Sequence, residues 1–467
     1  MLFYFVLSAD LVFVCLSMVF IFESCREQEF RAAIIAGAGV TVGALIILMS
    51  YSYPTSLNFF GILFLLATVF GLALCIPGRK NHSALRGAMG YAVKQVTRFN
   101  EADSVFARAR LKPENTKVYK EYYRNRKEQE KRDKLRRTKG VLGVPGAIDG
   151  CHALNNAMLF ATDEVPNMLR KYAISHPGNK EKQIDLSEAK AARIVKNFTQ
   201  YLGANLVGIC RLNPNWVYSH RGEIHDGNWE NWGKEIDDLP PFAVVIVVEM
   251  ERDLVVSAPH TPTAIESTTQ YAKGTYISTI LARWFFHMGY KGVAEHSRNY
   301  DIILPPVAVD AGLGEIGRQG YLIAPKYGAR VRLFAVLTDM PLKVDKPISL
   351  GVEAFCRKCK KCADACPSRS IPRGEMTECR GVKKWKLDEE SCYDYWSRVG
   401  TDCAVCMAIC PFSRPDSLFH RTIRFLVAYS LVAKVLFPHF DNFIYGKKWK
   451  TRKVPDWLRY PKRVIKN

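Results

Sequence analysis

The first part of the chain is built from long apolar stretches with short polar connections, and the remainder is not. Three apolar stretches cover Met1–Phe22, Ala32–Ser50 and Leu57–Ile76. Each is close to the ~20 residues that a helix needs to cross a hydrocarbon core of ~30 Å. The pattern predicts a transmembrane anchor of three helices within residues 1–78, followed by a charged globular part.

A cleaved signal peptide is the alternative for the first stretch, but no basic residue precedes it and two further stretches follow.

The residues between the stretches predict their orientation. Arg26 and Arg31 lie in the first connection, residues 51–56 carry no charge, and Arg79 and Lys80 follow the third stretch. The positive-inside rule then places the large C-terminal part on the cytoplasmic side of the cell membrane.

One acidic residue interrupts the first stretch. Asp10 could belong to a proton or quinone site, or it could face a neighbouring helix or lie near the membrane interface. We expect the second role.

The middle of the chain mixes helical and strand periodicities. Phe242–Met250 and Val331–Thr338 are apolar, β-branched runs typical of buried strands, whereas Ile184–Leu202 and Thr268–Met288 have helical character. Alternating helices and strands predict an α/β or α+β domain over residues 141–345.

Basic residues are concentrated in two segments of a chain whose formal net charge is +21. Residues 79–140 are polar and helix-prone, and we interpret them as an exposed, basic helical linker. The tail, 416–467, is also basic. Its apolar run Ile423–Phe437 is too short for a span and would pack on the domain or lie in the membrane interface. Because one basic segment directly follows the apolar stretches, lipid headgroups are better partners than nucleic acid.

Cysteines give the strongest chemical signal. Nine of the 14 fall within residues 356–410, which favours metal ligation over disulfides. The first four form C-x2-C-x2-C-x3-C-P, the run typical of bacterial ferredoxins, and a second set forms C-x10-C-x2-C-x3-C-P. In ferredoxins the fourth cysteine of a run ligates the other cluster. The spacing predicts two 4Fe–4S clusters within residues 346–415. Their ligands would be Cys356, Cys359, Cys362 and Cys410 for one cluster, and Cys366, Cys392, Cys403 and Cys406 for the other.

Zinc is the alternative for these cysteines, but zinc sites usually combine paired C-x2-C units rather than a triple followed by x3-C-P. Cys379 is interpreted as a bystander. The other cysteines fit packing roles: Cys15, Cys25, Cys75, Cys151 and Cys210. Clusters conduct electrons without performing the reaction, so the preceding domain should contain the reactive centre.

A glycine pattern precedes the cysteines. Residues 311–320 read AGLGEIGRQG, which places Gly312, Gly314 and Gly317 in a G-x-G-x-x-G arrangement. Such a pattern binds dinucleotides when a helix follows it. A strand-like segment with a turn follows here, which disfavours a dinucleotide site. The glycines remain candidates for contact with a different cofactor.

Several segments resemble one known family. They are LPPVAVDAGLGEIGRQGYLIAPKYGARVRLFAVLTDMPL (304–342), NPNWVYSH (213–220), ILARWFFHMGY (280–290) and the two cysteine sets with WKLDEESCYDYW among them. Within residues 141–415 the chain resembles the corrinoid-dependent reductive dehalogenases. The resemblance implies a nitroreductase-like α/β core that binds base-off cobalamin, fused to a ferredoxin-like module with two clusters. It also implies the reductive removal of halide from an organohalide. The predicted anchor would bring the clusters close to a membrane-bound or cytosolic electron donor.

The resemblance also suggests catalytic residues. The firmest match is Arg318, which closes the GLGEIGR motif, and Asn299 matches an asparagine or lysine expected upstream. For a tyrosine on the helix before the Gly-Tyr pair, Tyr271 is the first choice and Tyr276 the second. Tyr271 would protonate the carbon, while Arg318 would lower the phenol pKa and stabilise the departing halide together with Asn299. The alternatives are an ordinary helix-face aromatic and a surface ion-pair partner.

A histidine in the family-like segment could also contact the cofactor. His220 could ligate cobalt from below, but the sequence has no D-x-H-x-x-G motif and the family is base-off. A structural or corrinoid-contact role fits this histidine better.

Two other functions account for part of the pattern. An epoxyqueuosine reductase acting on tRNA also uses cobalamin and two clusters, and the basic charge would suit it, but membrane helices and the GLGEIGR form count against it. A membrane electron-transfer ferredoxin without corrinoid would leave the domain of residues 141–345 unexplained.

Overall fold

The computed structural model describes residues 2–53, 55–111, 114, 116–142, 153–175, 183–225 and 227–458. Cys151, for which we expected a packing role, and residues 459–467 of the basic tail lie outside them. The α-helices are Leu2–Arg26 (α1), Phe30–Ser52 (α2), Ser56–Leu74 (α3), His82–Leu85 (α4), Val105–Arg110 (α5), Lys117–Tyr123 (α6), Lys127–Lys139 (α7), Ala153–Leu169 (α8), Glu188–Tyr201 (α9), Arg252–Val255 (α10), Thr261–His287 (α11), Leu304–Asp310 (α12), Val352–Cys359 (α13), Lys361–Ala365 (α14), Glu389–Val399 (α15), Val405–Ala408 (α16), Leu418–Tyr429 (α17) and Leu431–Tyr445 (α18).

The strands belong to three sheets. They are Ile174–Ser175 (β1), Leu206–Arg211 (β2), Phe242–Glu249 (β3), Gly292–Glu295 (β4), Glu315–Ile316 (β5), Leu322–Ile323 (β6), Val331–Thr338 (β7), Thr377–Cys379 (β8) and Val382–Lys384 (β9). The chain divides into two compact units, one of Met1–Lys80 with Arg421–Trp449 and one of Asn81–His420 with Lys450–Asn467.

The first unit contains the three apolar helices expected from the sequence. α1, α2 and α3 are each long and apolar enough to cross a membrane. Asp10 is fully buried, and a Cβ built on Gly43 of α2 would lie 3.3 Å from its Oδ1, so this carboxyl faces another helix as expected. The tail run forms α17 and α18 rather than one helix. α18 packs in this unit, where Arg31 donates a hydrogen bond to the Phe443 carbonyl (3.0 Å) and Phe440 contacts Phe70.

The second unit is built on a five-stranded sheet of order β1-β4-β7-β3-β2, and every neighbouring pair is antiparallel. Of the two classes left open by the sequence, α+β therefore describes this core. β3 is a continuous apolar run because both faces of the sheet are covered. Its odd-numbered residues Ala243 to Val247 pack with α12, and its even-numbered residues Val244 to Val248 pack with α9 and α11.

The predicted strands are confirmed, whereas the long helix begins earlier than predicted. α11 starts at Thr261 rather than Thr268, with a proline in its first turn. Its first two turns are rich in hydroxyl side chains that are nevertheless buried. Ser267 and Thr268 donate hydrogen bonds to the carbonyls of Thr263 and Ala264 within the helix. Because these buried residues are polar, the segment lacks the helical spacing of apolar residues from which a helix is predicted.

The segment expected to be an exposed linker is packed against the cysteine-rich region. In α7, Asp133 and Arg136 are buried. Arg136 forms ion pairs with Asp133 (2.9 Å), with Glu390 (2.7 Å) and with Asp394 (2.7 Å). The last two residues belong to α15, which also carries Cys392. The expectation of full exposure is therefore wrong for this face of α7, because its arginine is held by acids of α15.

Candidate active site

Two loops of matching geometry present the cysteines. α13 ends at Cys359, and Lys360 then adopts a left-handed conformation (φ +55°) before α14 begins. In the second set Cys403 (φ +63°) and Ala404 (φ +54°) are left-handed just before α16. Left-handed non-glycine residues are costly and persist where the surroundings require them. Here they lie at or between cysteines that are separated by two residues, Cys359 and Cys362 in one loop and Cys403 and Cys406 in the other.

The structure sorts the eight cysteines into two groups. Cys356, Cys359, Cys362 and Cys410 line a small pocket together with Arg318. Cys366, Cys392, Cys403 and Cys406 instead lie in the wall of a larger cavity. These are the two sets that the crossing of chains in ferredoxins suggests.

The cysteines of the second group are buried or half-buried. Among the residues that the structure describes, no three His, Cys, Asp or Glu side chains converge on a point where one metal ion could sit. Burial also raises the pKa of the Cys392 and Cys403 thiols to about 12, so bound iron must displace their protons.

The larger cavity has a volume of about 550 Å³, within the range of ligand sites. Its wall is formed by α5, α11, the turn after β4, the start of α12, the first half of β7 and α15. The second cysteine group lies in the same wall as Tyr271. One cavity therefore joins the predicted cluster ligands to the predicted proton donor.

Tyr271 lies in the middle of α11 with a cation beside it, but that cation is Arg332. The Arg332 guanidinium carbon lies 5.1 Å from the centre of the Tyr271 ring. Arg332 donates hydrogen bonds to Ser267 (2.6 Å), one helical turn before Tyr271, and to Asp402 (3.0 Å). Asp402 directly precedes Cys403. The contacts thus run without a break from the tyrosine to the second cysteine loop.

Arg318 does not reach Tyr271 and does not line the larger cavity. Its side chain is 1% exposed and donates hydrogen bonds to the carbonyls of Cys356, Pro372 and Gly374, at 2.7 to 3.1 Å. The guanidinium also stacks over Trp385. The predicted partnership of Arg318 with Tyr271 is therefore wrong. The guanidinium of this arginine is instead hydrogen-bonded to backbone carbonyls, and these bonds stabilise the loop of the first cysteine group.

The other predicted contacts also lie outside the cavity wall. The Asn299 amide donates to the Ala294 carbonyl (2.8 Å), and His220 pairs with the neighbouring Ser219 hydroxyl (3.0 Å). Gly312 and Gly314 lie between α12 and β5, Gly317 follows β5, and the next elements are the strands β6 and β7 rather than a helix. Gly314, for example, has φ +151°, and a Cβ there would come within 2.2 Å of the Ile323 carbonyl.

Sequence reasoning missed three residues that do line the cavity: Arg332, His296 and Ser297. A signal existed for Arg332, which is the only charge in the apolar strand VRLFAVLT. For the other two, no pattern in the sequence distinguishes a turn that faces a cavity from one that faces water.

Comparisons with known proteins show which proteins this chain is similar to. Residues 355–413 match the 4Fe-4S dicluster domain family. The tetrachloroethene reductive dehalogenase of Sulfurospirillum multivorans is 33% identical over 293 residues, covering 56% of this chain and 58% of that protein. A solved reductive dehalogenase associated with B12-dependent dehalogenation has a TM-score of 0.62 and 25% identity, over 78% of this chain and 50% of the other.

The chain thus spans about half the length of these relatives. An epoxyqueuosine reductase of Lactococcus garvieae is 30% identical over 128 residues, which is 24% of this chain and 33% of that protein. The chain is therefore similar to the corrinoid-dependent reductive dehalogenases, as its motifs predicted, and the epoxyqueuosine reductases are the weaker match.

Proposed function

We propose that this protein is a membrane-anchored reductive dehalogenase that uses a base-off corrinoid and two 4Fe–4S clusters to remove halide from an organohalide. The observation that carries the proposal is the shared cavity. Its wall contains Tyr271 with Arg332 beside it, and also the second cysteine group. Electrons and a proton can therefore be delivered to one enclosed volume.

The cavity residues fit a large ligand with a polar edge. Much of the wall is apolar, from Ile302 and Leu304 to Val331. Buried polar atoms in the same wall have no hydrogen-bond partner among the described residues, including the Arg332 Nε and Asp402 Oδ1 atoms. Buried polar groups are normally paired, so such atoms indicate a ligand that completes them. When bound, the corrinoid supplies the reduced cobalt centre at which the carbon–halogen bond is broken. We further propose that the α+β core is nitroreductase-like, since its antiparallel sheet is covered on both faces.

The protein's own groups account for the rest of the reaction. Reductive dehalogenation consumes two electrons and one proton, and converts a carbon–halogen bond into a carbon–hydrogen bond plus halide. The Tyr271 hydroxyl donates the proton to carbon. Arg332, held by Ser267 and Asp402, stabilises the negative charge that remains on the phenol oxygen. The two cysteine groups would hold the two clusters, which would supply the electrons.

Anaerobic purification with added corrinoid tests the proposal. We expect a bound base-off corrinoid absorption spectrum, about eight iron atoms per chain, and halide release from aryl or alkyl halides under a strong reductant. Iron without corrinoid would indicate an electron-transfer ferredoxin instead. Corrinoid binding with turnover of an epoxyqueuosine-modified RNA but of no organohalide would favour the reductase alternative.

We also propose that the second unit lies on the cytoplasmic side of the cell membrane. Arg26 and Arg31 in the first connection, with Arg79 and Lys80 after the third helix, support this orientation. Protease added to inverted vesicles should degrade the cluster domain, whereas protease added to right-side-out vesicles should leave it intact. The opposite pattern would place the domain outside.

A further inference from the structure

The turn that follows β4 lines the cavity and is held by several hydrogen bonds. His296 and Asn299 exchange backbone hydrogen bonds, with N···O distances of 2.8 and 2.9 Å. The Asn299 amide donates to the Ala294 carbonyl, and the buried Glu295 carboxylate accepts from the Asp301 backbone N–H (2.7 Å). The backbone of residues 295–301 therefore has little freedom to move.

A side chain fastens the same turn from outside. Arg298 donates to both carboxylate oxygens of Asp163 (2.9 Å each) and to Asn167 (2.9 Å) on α8. Two further arginines line the cavity: Arg110 is paired with Glu223, and Arg332 with Asp402. Because the nearby arginines already have carboxylate partners, the turn offers hydrogen-bond donors rather than an uncompensated charge.

The hydrogen bonding of His296 assigns its tautomer. The Arg298 backbone N–H donates to Nδ1 of His296 (3.3 Å), so Nδ1 is an acceptor and the proton of the neutral ring is on Nε2. His296 is 2% exposed and lines the cavity, yet its Nε2 has no partner among the described residues. The adjacent Ser297 hydroxyl also lines the cavity, is buried, and has none. Two neighbouring donors are thus desolvated without being paired, which costs free energy unless a ligand completes them.

The ring stays neutral in this environment. Burial, together with the neighbouring Arg298, His225 and Arg170, lowers the pKa of His296 to about 3. An unprotonated ring donates one hydrogen bond from Nε2 and adds no charge. It is suited to an oxygen acceptor, not to an ion pair.

We infer that the His296 Nε2–H and the Ser297 hydroxyl form a fixed pair of donors that binds an oxygen acceptor of the molecule in the cavity. This inference rests on the proposed function and refines it. The acceptor is a hydroxyl, carbonyl or carboxylate oxygen, and it has two possible sources. It belongs to an organohalide that carries such a group or to an amide carbonyl at the corrinoid periphery, and the test separates the two.

Two substitutions of His296 test the roles of its two ring nitrogens separately. His296→Asn retains an acceptor near the Nδ1 position, so the turn is preserved, but it removes the donor that faces the cavity. His296→Gln retains a donor near the Nε2 position. His287→Ala is the matched control, since that histidine is exposed at the end of α11. Ser297→Ala provides an independent test of the pair should the asparagine variant fold poorly.

The measurements use the full-length reconstituted protein. One arm titrates hydroxocobalamin by absorbance, and the other compares KM for a chlorophenol with KM for the chlorobenzene that lacks its hydroxyl. We expect His296→Asn and Ser297→Ala either to weaken cobalamin binding by about tenfold or to raise KM for the chlorophenol by about tenfold. For His296→Gln and His287→Ala, both quantities should stay within about threefold of wild type. A change in the cobalamin titration assigns the donors to the corrinoid, and a change in KM for the chlorophenol alone assigns them to the substrate. Wild-type turnover with no change in either arm would overturn the inference. A wild-type protein that neither binds corrinoid nor releases halide would instead refute the proposed function.

Discussion

Replacing Cys403 by serine should abolish halide release while leaving about half of the iron in the protein. Cys403 lies in the wall of the larger cavity with Cys366, Cys392 and Cys406. A serine hydroxyl is a much poorer iron ligand than a thiolate, so this cluster should be lost or fail to assemble. The first group, around Cys356, shares no ligand with it and should still assemble. Electrons would then stop short of the cavity.

The same reasoning tests which cysteines act together. Cys366 is the fourth cysteine of the first run in sequence but lies with the second group in space. Cys366→Ser should therefore remove the same electron paramagnetic resonance signal as Cys403→Ser, and Cys410→Ser should remove the other one. Cys379→Ser is the control, because that residue lines neither cavity. Should Cys366→Ser and Cys359→Ser remove the same signal, the crossing of ligands between the two runs would be refuted.

Apolar runs predicted the helices and strands well, because a segment that is removed from water is recognisable in the sequence as a continuous apolar stretch. α1, α2 and α3 match the three stretches, and β7 has the predicted bounds Val331–Thr338. Where burial involves polar residues the prediction failed. The first turns of α11 are buried with their hydroxyls bonded to the helix backbone, and one face of α7 is buried through ion pairs with α15. Neither the hydrogen bonds nor the ion pairs that compensate this burial can be predicted without knowing which segments pack together. For α7 the partner is α15, which is more than a hundred residues away in the sequence.

The candidate site was predicted unevenly for a related reason. Cysteine spacing is local, so the two groups of cysteines could be predicted directly from the sequence. The cation beside Tyr271 comes from a distant strand, and Arg332 was not among the residues that the motifs singled out. Sequence context favoured Arg318 because of its motif. Three-dimensional packing instead binds Arg318 to backbone carbonyls and sets Arg332 against the Tyr271 ring.

Tyr271→Phe should lower kcat for halide release by about 10²- to 10⁴-fold while leaving both clusters and corrinoid binding intact. The substitution removes one hydroxyl. The ring would still pack edge-on against Phe334 and beneath Arg332, so the fold should not change. Loss of the proton donor affects only the step in which the carbon is protonated. Halide release should therefore slow without a matching rise in KM.

Tyr276→Phe is the control for this prediction and also tests the alternative choice of proton donor. Tyr276 lies on α11 five residues later, is 49% exposed and does not line the cavity. Its phenylalanine variant should retain wild-type kcat. The decisive comparison is kcat for both variants at equal corrinoid and iron content, measured with one halide under one reductant. If Tyr276→Phe lost activity and Tyr271→Phe retained it, the cavity around Arg332 would not be where carbon is protonated. If both variants kept full activity, the proton would have to come from solvent or from another group in the wall.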